Sequence, residues 1–132
     1  IGPTIDWYVH HLIAPGHAAP LRRFDELAAT VPAGAAGLTI DLTAPPHHVA
    51  GTPAQIARAV MEGTAHALNR RLLDLRQHHF TFDSAVMVGG PGNSPIWPDI
   101  VAAITGLKLT VGTAHAGATG AALLAQQGTE KP

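Results

Sequence analysis

The chain has no cysteine, which removes disulfides and thiolate metal sites and leaves the redox compartment unread. Charge is also scarce. Only 13% of the residues are charged, with 8 Lys and Arg against 9 Asp and Glu, a net charge of −1. That balance lacks the broad basic footprint of a nucleic-acid binder and the polybasic patch of a membrane-surface protein. Long hydrophobic runs are missing as well. The longest uncharged stretch, Leu109 to Thr129, is interrupted by Gly112, Gly117, Gly120 and Gly128 and carries His115, Gln126 and Gln127. The residues from Ile1 onward show neither the charged nor the apolar region of a secretory signal, so a soluble cytoplasmic domain is the expectation.

Against these absences stand 132 residues, 46% of them hydrophobic. That is the size of one domain, too short for most two-lobed enzymes. A chain of this length buries about 68% of its unfolded surface and needs no staples. Thr4 is the expected cap of a first helix from Ile5 to Ile13, stopped by Pro15-Gly16. A second begins at Pro20 and carries Leu21, Phe24, Leu27 and Ala28 on one face. Leu38 to Leu42 alternates strictly, the pattern of a half-buried strand. Thr43 to Gly51 reads as a loop.

The clearest element follows. Thr52, Pro53 and Gln55 form a capping box with proline at the first helical position. Ile56, Val60, Thr64, Leu68, Leu72 and Leu75 then line one face of a helix lasting to about Gln77. Phe82 to Val88 contains the unbroken apolar run Ala85-Val86-Met87-Val88, which suits a central strand buried on both faces. Gly89-Gly90-Pro91-Gly92-Asn93 is a tight turn. Ser94 and Pro95 are expected to open a helix ending at Thr105-Gly106, followed by a strand from Leu107 to Val111. A small-residue loop to Ala118 and an Ala/Leu helix from Thr119 to Gln127 complete the chain.

The unit from Phe82 to Val111 is strand, glycine-rich turn, capped helix, strand. In a parallel sheet, ligands sit beyond the carboxyl ends of the strands. There, a turn without Cβ atoms at Gly89, Gly90 and Gly92 admits close approach, and backbone N–H groups face the ligand. The turn is neither G-x-G-x-x-G nor a P-loop. On these residues alone, a nucleotide ledge and a ligand-free turn both remain open.

Nine histidines occur as three adjacent pairs plus His17, His66 and His115. Neighbouring side chains diverge by about 100° on a helix and 180° on a strand, and no H-x-x-x-H is present, so surface or capping roles are expected rather than metal ligation. His66 is expected to be partly buried and hydrogen-bonded. Trp97 is expected in the core, packed against the sheet, and Arg70, Arg71 and Arg76 to serve the helix C-terminus. Asp41, Asp83 and Asp99 read as surface charges.

Three stretches in order carry a resemblance: Arg58 to Leu68 (RAVMEGTAHAL), Val86 to Gly90 with Ser94-Pro95-Ile96-Trp97, and Gly120 to Ala125 (GAALLA). Their order and spacing resemble the carboxy-terminal lobe of the FGGY carbohydrate kinases, well over residues 52 to 126 and loosely over 4 to 38. The resemblance implies an α/β, ribonuclease-H-like lobe of the actin and sugar-kinase superfamily, incomplete here, with long helices on a small sheet. It implies a single domain or fragment over residues 1–132 that receives the adenosine of ATP at Gly89, Gly90, Pro91 and Ser94, with Gly120 in a small-residue segment packed close to the site and Glu62 in support.

The whole kinase implied would bind ATP and Mg²⁺ and pass the γ-phosphoryl in line to a sugar or polyol hydroxyl. The sugar pocket and general base would belong to an amino-terminal lobe with no counterpart in these residues. The fragment alone is expected to be inactive. Pro91, which lacks an N–H, and the short Thr43 to Gly51 loop keep open a second reading, a non-catalytic, kinase-derived assembly module that pairs with another copy.

Overall fold

A computed structural model describes residues 1–112. The expected loop from 113 to 118 and helix from 119 to 127, with Gly120, lie outside the described residues. Helix α1 (Gly2–Tyr8) starts ahead of Thr4, because Pro3 occupies its first turn, where a fixed φ and a missing N–H cost nothing. It runs on as a π-helical turn, Val9–Ile13, closed by the Ala14 N–H donating to the Val9 carbonyl at 2.8 Å. Tyr8, Val9 and Ile13 are all buried there. Helix α2 (Pro20–Ala29) begins at its proline as expected and buries Phe24 and Ala28.

The central beam is α3 (Pro53–Gln77), 25 residues long. Its capping box is present in full: the Gln55 N–H donates to Thr52 Oγ1 at 3.2 Å, and Gln55 Oε1 accepts from the Thr52 N–H at 3.0 Å. From Ile56 to Ala67 it is buried on much of its circumference, with α2 and α4 both packed on it. Leu68 and Leu75, expected in the stripe, are exposed, while Leu72 is buried. The beam outruns the elements that cover it.

Leu38 to Leu42 keeps its expected alternation, with Ile40 and Leu42 buried and Thr39 and Asp41 exposed. It is not a strand, however. Among the described residues it pairs with no other strand and instead lies against α3 at Gly63, where an added Cβ would sit 2.5 Å from the Ile40 carbonyl oxygen. Ahead of it, Gly34, Ala35, Ala36 and Gly37 all have positive φ.

Strand β1 (Ser84–Met87) and strand β2 (Lys108–Val111) form a two-stranded parallel sheet in the register Ser84↔Lys108 to Met87↔Val111. Helix α4 (Trp97–Thr105) is the crossover, ended by Gly106 at φ 75°. It begins later than Ser94-Pro95 suggested, and Pro98 takes the first-turn place. The expectation of a strand buried on both faces is overturned: Val86 is 64% exposed and Val88 and Val111 are also open. Only one face of this sheet is covered among the described residues, and α4 covers it. The long α3 therefore packs on helices rather than across the sheet.

Candidate functional site

The turn after β1 is a short 3₁₀ helix, Gly90–Asn93, entered through Gly89 at φ 84°. The glycines divide by role. A Cβ at Gly92 would lie 3.1 Å from the Met87 carbonyl oxygen, whereas one at Gly89 or Gly90 would meet nothing within 4 Å. A Cβ at Gly92 would thus crowd the turn where it folds back on its strand, and Gly89 and Gly90 leave its outer surface bare. Two backbone bonds hold the curve, Gly92 N–H to Gly89 O at 3.1 Å and Ser94 N–H to Pro91 O at 3.2 Å.

Ser94 is buried, and its Oγ accepts from the N–H groups of Ile96 at 3.3 Å and Trp97 at 3.1 Å. That caps the entry to α4 two residues early, as Ser and Thr do when they bond to the chain ahead. Trp97 turns inward, 6% exposed. Its indole N–H donates to Thr64 Oγ1 at 2.8 Å, and its ring meets Phe24 edge-on at 5.4 Å and 85°. The core role expected of Trp97 holds, but its partners are α2 and α3 rather than the sheet.

These contacts build a groove of about 430 Å³. Phe24 and Trp97 line it together with Gly90, Pro91 and Ser94 of the turn. The start of α1 (Ile1, Gly2, Ile5 and Asp6) and α2 (Leu21 and Asp25) supply the rest. Three of the five residues singled out from sequence therefore share one surface. Gly89 precedes them in the same turn without lining the groove, and Gly120 lies outside the described residues. Asp6, Leu21 and Asp25 carried no sequence signal for this role. Leu21 and Phe24 read simply as one apolar helix face, and nothing local shows that α1 and α2 fold back against a turn so far along the chain.

A second cleft, about 380 Å³, lies between the Leu38–Asp41 segment and α3 and includes Glu62, His66 and Arg70. Glu62 is buried and accepts from the Gly34 N–H at 2.8 Å and from Arg58 Nε at 3.0 Å. It clamps the left-handed 34–37 turn to α3. His66 is exposed rather than half-buried, because α3 turns this position toward the open cleft. Arg70 reaches Asp41 at 3.7 Å instead of serving only the helix end. The Thr43 hydroxyl and N–H, and more weakly Arg70, hold the Asp41 carboxyl below its ordinary value.

Four histidines act locally, His17 by accepting the Ala19 N–H at Nδ1 over 3.0 Å. His11, His47 and His78 lie with Nδ1 at 2.8, 3.3 and 2.9 Å from the carbonyls of Trp7, Pro45 and Asp74. Among the described residues no group of three or more His, Asp or Glu is arranged to hold a metal ion, and no helix is long and apolar enough to cross a membrane.

Residues 9–127 match the FGGY family of carbohydrate kinases, C-terminal domain. A probable L-xylulose kinase of Pasteurella multocida (strain Pm70) is 34% identical over 86 residues, which is 64% of this chain and 17% of that protein. The crystal structure of xylulose kinase from Rhodospirillum rubrum superposes with a TM-score of 0.66 at 26% identity, over 83% of this chain and 25% of that one. The chain thus spans a quarter or less of the length of these relatives. With the match running through the turn, α3 and α4 alike, the chain belongs to the carboxy-terminal domain of the FGGY carbohydrate kinases.

Proposed function

We propose that this chain is the nucleoside-binding part of an ATP-dependent sugar or polyol kinase and that the groove between α1, α2 and the 89–94 turn receives adenosine. The observation that carries this reading is the convergence of Gly90, Pro91 and Ser94 on an apolar groove that Phe24 and Trp97 also line. A purine fits a slot of this kind, largely apolar with a bare backbone edge and a few polar groups. The lining includes two carboxylates and no Lys, Arg or His. It suits the nucleoside and offers a triphosphate no side-chain cation.

In the whole kinase, ATP with Mg²⁺ supplies the phosphoryl group and neutralises charge as it moves. These residues would orient the nucleotide, an effect on proximity rather than on bond breaking. The acceptor sugar and the base that takes its proton would be bound elsewhere in the longer protein, so the 132-residue chain alone is inactive under this reading. Gly120, outside the described residues, belongs to this reading as part of a small-residue segment that would pack close to the site. The parallel β1–α4–β2 unit supports a ribonuclease-H-like lobe, and dependence on ATP supports a cytoplasmic setting. The exposed Val86, Val88 and Val111 favour one second reading, an assembly module that pairs with another copy through this sheet face.

Gly90→Leu tests the proposal without disturbing the fold, since its side chain would enter open space. Backbone-amide NMR of the chain with millimolar ADP should show shifts at residues 89–97 and at Asp6 and Asp25, lost in Gly90→Leu. Shifts that persist in the variant would place the nucleotide elsewhere. Concentration-dependent dimerisation without any nucleotide shift would favour the assembly reading.

A further inference from the structure

Resting on the reading of this groove as a nucleoside site, we propose that Thr64 of α3 is a positioning residue. Its hydroxyl holds the Trp97 indole in the orientation that lets the groove take a nucleoside, although Thr64 itself does not line the groove. Trp97 is held at two points. Ser94 Oγ accepts its backbone N–H at 3.1 Å, which fixes the entry to α4, and Thr64 Oγ1 accepts its indole N–H at 2.8 Å. The second bond sets the ring. Trp97 is buried and its indole nitrogen can only donate, so a turned ring would strand a buried N–H, and that cost keeps the ring on its acceptor.

The Thr64 hydroxyl is aimed by its own helix. It donates to the Met61 carbonyl at 2.6 Å, which commits its hydrogen and leaves its lone pairs to the indole. Its neighbours Val60, Met61 and Ala65 are fully buried and apolar. A valine at this position would suit them equally well by shape, yet could not accept from Trp97. Phe24 depends on the same arrangement, because its ring meets Trp97 edge to face, with centroids 5.4 Å apart. Phe24 from α2 and Trp97 from α4 both line the groove, so one hydroxyl on α3 governs two of its apolar surfaces.

Thr64→Val and Thr64→Ser separate positioning from packing. Valine keeps the shape of threonine and loses the acceptor, whereas serine keeps the hydroxyl and loses a methyl group. Both should lower the urea midpoint of the 132-residue chain. A backbone-amide NMR titration with ADP should split them, with the Ile1 ammonium and the carboxylates of the groove the same in every protein. Thr64→Ser should bind like the parent chain and Thr64→Val about three- to tenfold more weakly, the worth of one hydrogen bond. In the parent chain the Trp97 indole N–H signal should itself move as ADP is added, a readout that requires no variant to fold. Three results overturn the inference and leave the groove a nucleotide site: undiminished affinity in Thr64→Val, an equal loss in both variants, or an indole signal that stays fixed while the amides of residues 89–94 shift. The absence of any shift in the parent chain at millimolar ADP removes the groove reading and this inference with it.

Discussion

Gly63 offers the sharpest test of how α3 meets the rest of the chain. By helix propensity alone, alanine in the middle of a helix is better than glycine by about 1 kcal/mol. Here an alanine Cβ would lie 2.5 Å from the Ile40 carbonyl oxygen. Ordinary van der Waals contact starts near 3.4 Å, so the Leu38–Leu42 segment must retreat by roughly 0.9 Å, a backbone shift of the kind that overpacking a core demands. That segment cannot swing aside as a side-chain end can, because Ile40 and Leu42 are both buried beside the contact. Overpacking costs about 1–3 kcal/mol, more than the propensity gain, and we expect Gly63→Ala to be destabilised by about 1–2 kcal/mol overall.

Urea unfolding followed by circular dichroism would read this as a midpoint about 1 M lower at an m-value of 1–1.5 kcal/mol/M. His66→Ala, on an exposed part of the same helix, is the reference and should gain a few tenths of a kcal/mol. If Gly63→Ala is instead stabilised like the reference, the close approach of the Ile40 carbonyl is wrong.

Other consequences follow from the same contacts. Glu62→Ala leaves the Gly34 N–H and a mostly buried Arg58 without their shared acceptor, and should lower unfolding stability by about 3 kcal/mol in denaturant titration. Ala36 sits at φ 55°, ψ 32°, where a Cβ costs about 1–2 kcal/mol. Ala36→Gly should therefore stabilise the chain by about 0.5–1 kcal/mol after its greater unfolded-state freedom is counted, seen as a higher melting temperature. Asp41 contributes in the opposite pH sense from a histidine. Its folded pKa is depressed, chiefly by the Thr43 hydroxyl, so its contribution is complete above the ordinary value of 3.8 and is lost as pH falls through the lower folded value. Asp41→Asn should flatten that acid limb, and the Thr43 amide shift in an NMR pH titration should report it directly.

How much of this was legible depended on whether the signal was local. The capping box at Thr52 is a four-residue pattern, and α3 starts where it says. The strand–turn–helix–strand unit was legible for the same reason, since glycines and prolines mark its corners. The alternation at Leu38–Leu42 correctly predicted which side chains are buried. It misled about hydrogen bonding, because a helix packed closely at Gly63 can bury alternate residues of an extended segment as a neighbouring strand would. The run Ala85–Val88 shows the converse: continuous hydrophobicity records an apolar sequence, not a second covered face. At the groove, the turn was read from sequence because glycine and proline disclose backbone geometry. The lining by Asp6, Leu21 and Asp25 was not, because their approach to the turn is set by tertiary packing through Phe24 and Trp97.

The unequal cover along α3 gives one helix two lifetimes. Between Ile56 and Ala67 its amides are sheltered by the packing of α2 and α4, so they exchange with solvent only when the whole assembly opens. From Leu68 onward Leu72 alone is buried, and among the described residues the last turns add to their own hydrogen bonds only surface contacts such as Arg70 to Asp41 and Arg76 over Phe82, where isolated helices of that length do not persist in water. The capped end is thus an anchor and the far end a fraying tip. Motion at Arg70 and Asp41 can then proceed on its own clock, leaving the Trp97–Thr64 link beneath the groove undisturbed.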